Sequence, residues 1–320
     1  MRKKILITGG AGYIGSRLTE RLLYGNYNHD EVTVFDNQLY DKTSLLKLAE
    51  DKHFTFVRGD VRNDGELKKQ VEKHDIIISL AALVGFPLCE KNPIDAELVN
   101  YRANKKICEW KSKDQVIIYP NSNSGYGSTD SGSVCTEENP MNPITLYGKT
   151  KLMAEEAICQ VPNRVVLRLA TVFGPSSRPR FDLLVNNLVL KALKDRIIVL
   201  YEPHFMRNYI HIRDVVDAFV HIVSHTNKSM YTRSLMDEVY NVGNDAINMT
   251  KLQLVEKIKE QIPLEIIFAE FTNDPDKRNY AISSEKFYKT GFNCNYSIEQ
   301  GIWELKRVYE MLEEPWRSNY

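Results

Sequence analysis

The sequence is short of several things, and each shortage excludes a class of protein. It holds no apolar run near the roughly 18 residues of a helical membrane span, so no membrane partner is expected. It has no excess charge of either sign: 42 Lys+Arg stand against 42 Asp+Glu, a formal charge of zero. A broad basic field for nucleic acid is therefore absent, and only a local basic pocket would fit. Its five cysteines (Cys89, Cys108, Cys135, Cys159 and Cys294) show no CxxC spacing. An odd, unpatterned set predicts reduced thiols and a cytoplasmic location, with neither a disulfide framework nor a metal site. The apolar stretch in "MRKKILITGG" is too short for a signal peptide. No repeat, low-complexity tract or Gly/Ser linker interrupts the chain. What is present is ordinary globular usage, 43% hydrophobic and 26% charged over 320 residues. That suffices for one large domain or two small ones around a sizeable core.

The first 170 or so residues alternate between two patterns. Short β-branched runs at Lys4–Thr8, Val32–Asp36, Phe54–Gly59, Asp75–Leu80, Val116–Tyr119 and Val165–Leu169 predict buried parallel strands. Amphipathic stretches between them, such as Gly12–Tyr24 and Leu146–Cys159, predict helices on both faces of the sheet. After Gly174 the rhythm changes to longer helical patterns at Phe181–Lys194, Lys251–Gln261 and Ser297–Glu314, with a short strand at Glu265–Phe268. In the last helix Ile302, Leu305, Val308 and Leu312 recur at helical spacing and should pack on the body. A smaller lobe at the carboxyl ends of the strands is expected.

The stretch "ILITGGAGYIG" delivers Gly9, Gly10, Gly12 and Gly15 from a strand straight into a helix. Glycines let the backbone turn tightly and approach a pyrophosphate, and the helix N-terminus offers free N–H groups. In a βαβ unit this predicts a dinucleotide site, with Tyr13 and Ile14 beside the glycines. The second strand ends in Asp36, 21 positions beyond Gly15. An acid there accepts from the ribose hydroxyls and repels a 2′-phosphate. Asn37 rather than a basic residue follows, which favours NAD over NADP. Asp60 and Val61 at the third strand end could touch adenine. Leu80, Ala81 and Ala82 at the fourth could let the cofactor pass, or could equally be tight packing. The fold class is α/β: a Rossmann doubly wound parallel sheet with a smaller C-terminal substrate-binding lobe. Residues 1–174, completed by parts of 205–245, would form the NAD domain, and 175–320 mainly the lobe.

Two further stretches bear on chemistry. "YPNSNSGYG" (119–127) places Asn121, Ser122, Asn123 and Ser124 at the end of a buried strand, either as a plain turn or as a row of groups facing a ligand. "LYGKTK" places Tyr147 and Lys151 four apart, hence on one helix face. A phenol that acts as a base near neutral pH needs its ordinary pKa of about 10 lowered by about three, roughly 4 kcal/mol. A nearby ammonium and a positive nicotinamide could supply it.

The order TGGxGxxG, strand-end Asp, Ser-bearing loop, Tyr-x-x-x-Lys, "RLATVFGP" and "RNYIHIRDV" resembles the extended short-chain dehydrogenase/reductase family, in its branch of NAD-dependent nucleotide-sugar epimerases and dehydratases. The resemblance implies NAD as cofactor, a nucleotide-sugar substrate and a homodimer through a four-helix bundle. It implies Ser122, Tyr147 and Lys151 as the catalytic trio and Asn100 near the nicotinamide. It also implies diphosphate contacts at Arg207 and Arg278, and further substrate contacts at Ser122, Asn123, Ser124, Thr171, Arg178, Arg180 and Asn187. Thr171 stands where many members carry Asn.

Dehydratases of this branch carry Asp-Glu directly after the triad Ser or Thr, and this chain has Asn123 and Ser124 there. Neither is a competent acid or base, which argues against elimination of water. The epimerase branch that uses a Cys acid/base just after this Ser is disfavoured too, because no Cys occurs between Ser122 and Gly127. Hydride chemistry at the sugar's 4-position remains, ending in a ketone or in an epimer. "AALVGFPLC", "FDLLVNN" and "DPDKR" most resemble enzymes that oxidise GDP-manno-heptose at the 4-position in capsule biosynthesis, so a GDP-sugar is favoured. Two alternatives stay open: a non-catalytic NAD-binding protein, and a dehydratase that uses Glu137 or Glu138.

Overall fold

The computed structural model describes residues 2–25, 30–40, 42–127, 133–226, 235–269 and 279–312. Seven parallel strands form the main sheet in the order β11-β7-β5-β4-β1-β2-β3. They are β1 (Lys4–Thr8), β2 (Glu31–Asp36), β3 (Phe54–Arg58), β4 (Ile76–Ser79), β5 (Val116–Ser122), β7 (Arg164–Leu169) and β11 (Glu238–Val242). The inner strands β1, β2, β4, β5 and β7 are largely buried because both sheet faces are covered, whereas the edge strand β3 is only partly buried. Ile5, Ile7, Val32, Val34, Ile76 and Ile78 face α1 (Tyr13–Tyr24) and α8 (Ile212–Ser224). The intervening Leu6, Phe35, Ile77, Ile117 and Tyr119 face α2 (Asp64–Val71), α5 (Ala103–Trp110) and α6 (Leu146–Ile158). Two short helices, α3 (Phe86–Lys91) and α4 (Pro93–Glu97), precede a π-helical turn at Leu98–Arg102 that runs into α5.

A second core holds the lobe. Val185 and Val189 of α7 (Leu184–Lys194), Leu254 and Ile258 of α9 (Lys251–Lys259), and Ile302 and Leu305 of α11 (Ile298–Met311) pack together. Three small sheets rim it. One orders β12 (Asn244–Thr250), β10 (Met206–His211) and β8 (Thr171–Phe173). The others pair β13 (Glu265–Phe268) with β9 (Ile197–Leu200), and β14 (Ala281–Ile282) with β6 (Val134–Cys135). A short α10 (Glu285–Tyr288) links back to the body. No described helix is long and apolar enough to cross a membrane.

Most element boundaries shift by one or two residues from the sequence expectation, and three shifts have a clear structural cause or consequence. The strand expected to stop at Tyr119 continues through Pro120 to Ser122. Its pairing with β4 ends at Ile78↔Ile118, while its pairing with β7 runs on to Ser122↔Leu169. Beyond Ile118 the sheet therefore splits, and the freed edge of β5 tolerates a proline and opens a crevice. The helix expected from Phe181 starts at Leu184, because the Asn186 and Asn187 side chains donate to the carbonyls of Arg180 and Phe181 and hold that segment as a loop. Helix α11 ends at Met311, and Leu312 lies outside it and is exposed; residues 313–314 lie outside the described residues.

Gly301 fixes how closely α11 approaches the sheet. A Cβ there would meet the Phe173 ring at 2.2 Å and the His211 ring at 3.1 Å, and both rings are fully buried. Gly301→Ala would gain up to ~1 kcal/mol of helix propensity. Overpacking against a rigid buried ring costs about 1–3 kcal/mol and should win. The variant is expected to unfold at lower urea concentration than the wild type, and an unchanged or higher midpoint would contradict this packing.

Candidate active site

The carboxyl ends of β1, β2, β3, β4, β5 and β7 open onto one cleft of about 960 Å³ at the edge of the sheet. Its first half is built by the β1–α1 turn. Gly9 adopts φ +72°, and a Cβ there would lie 2.6 Å from the backbone nitrogen of Ala81. At Gly15 a Cβ would lie 2.5 Å from the carbonyl of Gly9, so the helix sits directly on its own loop. Gly12 is the N-cap of α1, with no side chain bonded to the helix start and no acid in its first turn. The N–H groups there are left for an anion.

The carboxylate of Asp36 accepts from the backbone N–H of Ala11 at 2.9 Å and of Gln38 at 2.7 Å. Burial pushes it above its ordinary range, while those two bonds and the Arg178 charge pull it back. Asp60 lines the cleft too, but Arg62 grips it from Nε at 2.9 Å and Nη2 at 2.7 Å, and Asn37 donates to it at 3.0 Å. The Arg62 bonds hold Asp60 well below the usual carboxylate range. Ile14, Val61, Leu80, Ala81 and Ala82 complete this wall. Tyr13 lines it as well, yet its hydroxyl turns away and donates to the Gly174 carbonyl at 2.7 Å.

The second half is built by β5 and α6. Thr145 caps α6 by accepting from Gly148 N–H at 3.1 Å, and Tyr147 follows in the first turn, half-buried on the cleft wall. One turn on, Lys151 is 4% exposed, its Nζ 4.0 Å above the ring of Tyr119. Desolvation pushes this lysine down to about 7, against the opposing charges of Glu155 and Cys89. Ser122 ends β5 on the same wall, its Oγ accepting from Ser124 N–H at 3.2 Å. Cys89 is buried, and burial pushes its thiol up to about 11.

Several expected residues are placed otherwise. Asn100 is not on the cleft wall. Its amide braces the wall from behind, accepting from Leu83 N–H at 2.8 Å and donating to Leu83 O at 3.0 Å and Thr150 Oγ1 at 3.2 Å. The π-helical turn holds it there. Asn123 and Ser124 lie in a buried turn behind Ser122, because the chain coils into a 3-10 helix as soon as β5 ends. Both amide atoms of Asn123 and the Ser124 hydroxyl have no protein partner. Glu137 is engaged away from the cleft, accepting from Asn241 N–H at 2.7 Å. On the lobe side Thr171, Arg178, Arg180, Asn187 and Arg207 do line the cleft. Arg178 stacks 4.7 Å over Tyr40, Arg180 pairs with Asp182, and Asn187 Nδ2 is engaged by Phe181 O. Arg207 is 2% exposed and donates to Met206 O at 2.9 Å. Arg278 lies outside the described residues. Lys251, Tyr280 and Tyr40, which sequence reasoning missed, also line this wall. Only the helix-start position of Lys251, after the capping Thr250, could have marked it.

A family model described as NAD dependent epimerase/dehydratase family matches residues 5–243. The chain belongs to that family. It is an enzyme of the NAD-dependent nucleotide-sugar epimerase/dehydratase type. Among its relatives, Protein CapI of Staphylococcus aureus is 28% identical over 93% of this chain and 96% of its own length. A putative UDP-glucose 4-epimerase of Methanocaldococcus jannaschii is 26% identical over 97% and 98%. The fold matches that of a UDP-glucuronic acid 4-epimerase from Bacillus cereus solved with UDP-glucuronic acid and NAD. The TM-score is 0.80 at 24% identity, over 97% of this chain and 100% of that one. A dTDP-glucose 4,6-dehydratase from Bacillus anthracis in complex with NAD gives 0.78 at 24%, over 97% of each. The uncapped start of α1, its glycine-bared approach and the Asp36 carboxylate fit the family's cofactor.

Two outcomes follow from this geometry. Asp36→Asn removes one charge and keeps the shape. It should weaken NAD binding by about tenfold, the worth of a charge-assisted hydrogen bond, and narrow the gap between NAD and NADP affinity in calorimetry. An unchanged gap would show that Asp36 does not face the ribose. For Lys151, the folded pKa lies below the unfolded value, so between pH ~7 and ~10 the unfolded chain holds a proton that the cofactor-free native state has lost. Stability relative to Lys151→Met should therefore rise with pH across that window, by at most about 1.4 kcal/mol per pH unit, and stay flat below it. Urea midpoints at several pH values would read it, and a flat difference throughout would contradict the buried-lysine account.

Proposed function

We propose that the chain oxidises the 4-hydroxyl of a nucleotide sugar, with a GDP-linked heptose or hexose favoured by motif resemblance. The observation that carries this is the acid–base inventory of the cleft. Among the described residues, no Glu, His or Cys lines it. Four aspartates do, and each is engaged: Asp36 by backbone N–H groups, Asp60 and Asp95 by Arg62, Asp182 by Arg180. Tyr13 and Lys251 donate to backbone carbonyls, and Tyr40 and Tyr280 lie under Arg178 and Arg207. Tyr147 and Lys151, one turn apart on α6 and on the same wall as Ser122, are the pair best placed for proton transfer. Bound NAD supplies the acceptor for a hydride from the carbinol carbon. Tyr147 takes the hydroxyl proton, Ser122 orients that hydroxyl, and the Lys151 charge favours the phenolate. Arg207, with Arg178 and Arg180, suits the substrate diphosphate, since a guanidinium binds phosphate oxygens bidentately. Residues 1–174 with parts of 205–245 would carry the cofactor, and the remainder mainly the substrate. Ile94 and Met153, exposed on α4 and α6, support a homodimer through a four-helix bundle.

A second reading is 4-epimerisation, in which the ketone is re-reduced on its other face. Likeness to the putative UDP-glucose 4-epimerase supports it. Elimination of water finds no support, because no carboxylate stands beside Ser122 in the described cleft.

Tyr147→Phe should lower turnover by about 10²–10⁴-fold, the usual worth of a positioned base, while NAD stays bound. Full turnover would end the assignment. The product's mass separates the reactions: loss of two hydrogens marks a ketone, no change an epimer, and loss of water a dehydratase.

A further inference from the structure

Tyr147, Lys151 and Glu155 recur every four residues along α6 and share one stripe of that helix. The first two face the cleft, but Glu155 does not. Its side chain is 5% exposed and paired with Arg168 of β7, itself 8% exposed. Arg168 Nη2 donates to one carboxylate oxygen at 2.6 Å, and its Nε lies 3.2 and 3.3 Å from the two oxygens. Asn121 Nδ2 donates to the same carboxylate, and Asn121 Oδ1 accepts from Ser122 N–H at 2.8 Å. On the far side Arg168 Nη1 donates to the Tyr126 hydroxyl at 2.8 Å, which donates to Asn241 of β11 at 2.7 Å. One polar chain thus runs from the Ser122 backbone through Asn121, Glu155, Arg168 and Tyr126 to the sheet's last strand.

Stability alone does not account for this pair. Desolvating two charges roughly cancels their attraction, and apolar residues of the same volume would hold the helix as well. The carboxylate matters for what lies beside it. The charged and titratable groups around Lys151 are few: Tyr147 and Glu155 on its own helix, the Tyr119 ring from β5, and the Cys89 thiol from α3. Burial keeps both that thiol and the Tyr119 phenol neutral near pH 7. Glu155 is the one anion in this set.

We propose that Glu155 is a positioning residue for proton transfer: clamped by Arg168 and Asn121, it sets the Tyr147–Lys151 face of α6 against Ser122 and supplies the counter-charge that opposes loss of the Lys151 proton. The inference rests on the reading of Tyr147 and Lys151 given above. Burial drives Lys151 toward the neutral amine, and a neutral amine gives a phenolate no support. Asn121 takes part in the same device by coupling the strand end to the carboxylate.

Isotope-labelled lysine NMR on the full chain tests it, with the Lys151 signal assigned by its loss in Lys151→Arg. Three forms are titrated: wild type, Glu155→Gln, and the double variant Glu155→Gln/Arg168→Gln. Lys151 should titrate highest in the wild type and lower by about one pH unit or more in the double variant. In Glu155→Gln it should titrate lowest of all, because Arg168 is left uncompensated. If that single variant fails to fold, the double variant, which buries no lone charge, decides the matter. A Lys151 titration unchanged in the double variant would reduce the pair to a structural tie and overturn the inference. The two readings fail separately. Turnover surviving in Tyr147→Phe would remove the proton-transfer pair whatever the titration shows, whereas an unchanged titration in an enzyme that needs Tyr147 would remove only the role of Glu155.

Discussion

A sheet whose seven strands all run the same way places every strand-to-helix turn on a single edge. That one constraint assembles the site. β1 delivers the glycine turn, β2 delivers Asp36, β4 delivers Ala81 and Ala82, and β5 delivers Ser122, all without any of these segments being near in sequence. The edge would be a flat rim if every strand stayed paired to its end. It becomes a cleft because β5 leaves β4 after Ile118 and stays with β7. The lobe core then closes one side with arginines on its inner wall.

The cost of such a site is desolvated charge, and the structure distributes it unevenly. Asp60 and Arg62 stay near solvent and satisfy one another. Lys151 is buried against an aromatic face, where a charged amine is disfavoured. Arg168 and Glu155 are buried together, and their bonds extend to the strand end that carries Ser122. Asn121, Glu155, Arg168 and Tyr126 therefore form one connected set, whereas across the cleft Asp36 is held by backbone N–H groups and Asp60 by the side chains of Arg62 and Asn37.

Much of this was legible in the sequence. Short β-branched runs mark six of the seven main strands, five of them largely buried and the edge strand β3 by alternation. The seventh, Glu238–Val242, lies 69 residues after Leu169 and joins the sheet through α8, a long-range pairing that local pattern does not reveal. The glycine turn, Asp36, Tyr147 and Lys151 stand out because their chemistry requires a residue type at a spacing, and Ser122 stands out through the family resemblance; all of them line the cleft. Asn100 braces the wall from behind through Leu83, and an amide's type does not say which side of a wall it faces. Asn123 and Ser124 were expected in the cleft, but a one-residue switch from extended strand to 3-10 turn sends them behind it. The roles of Asn121 and of Arg168 in the strand "RVVLRL" depend on Glu155, which meets them only in the folded chain. Tertiary partners of buried polar groups leave little trace in one sequence.

The bare start of α1 has a consequence beyond catalysis. A helix that begins on glycine with no capping side chain and no acid in its first turn is unfinished as a piece of protein. Phosphates bound at this turn would complete it, and part of the folding free energy of the domain would then be held by the ligand rather than by the chain.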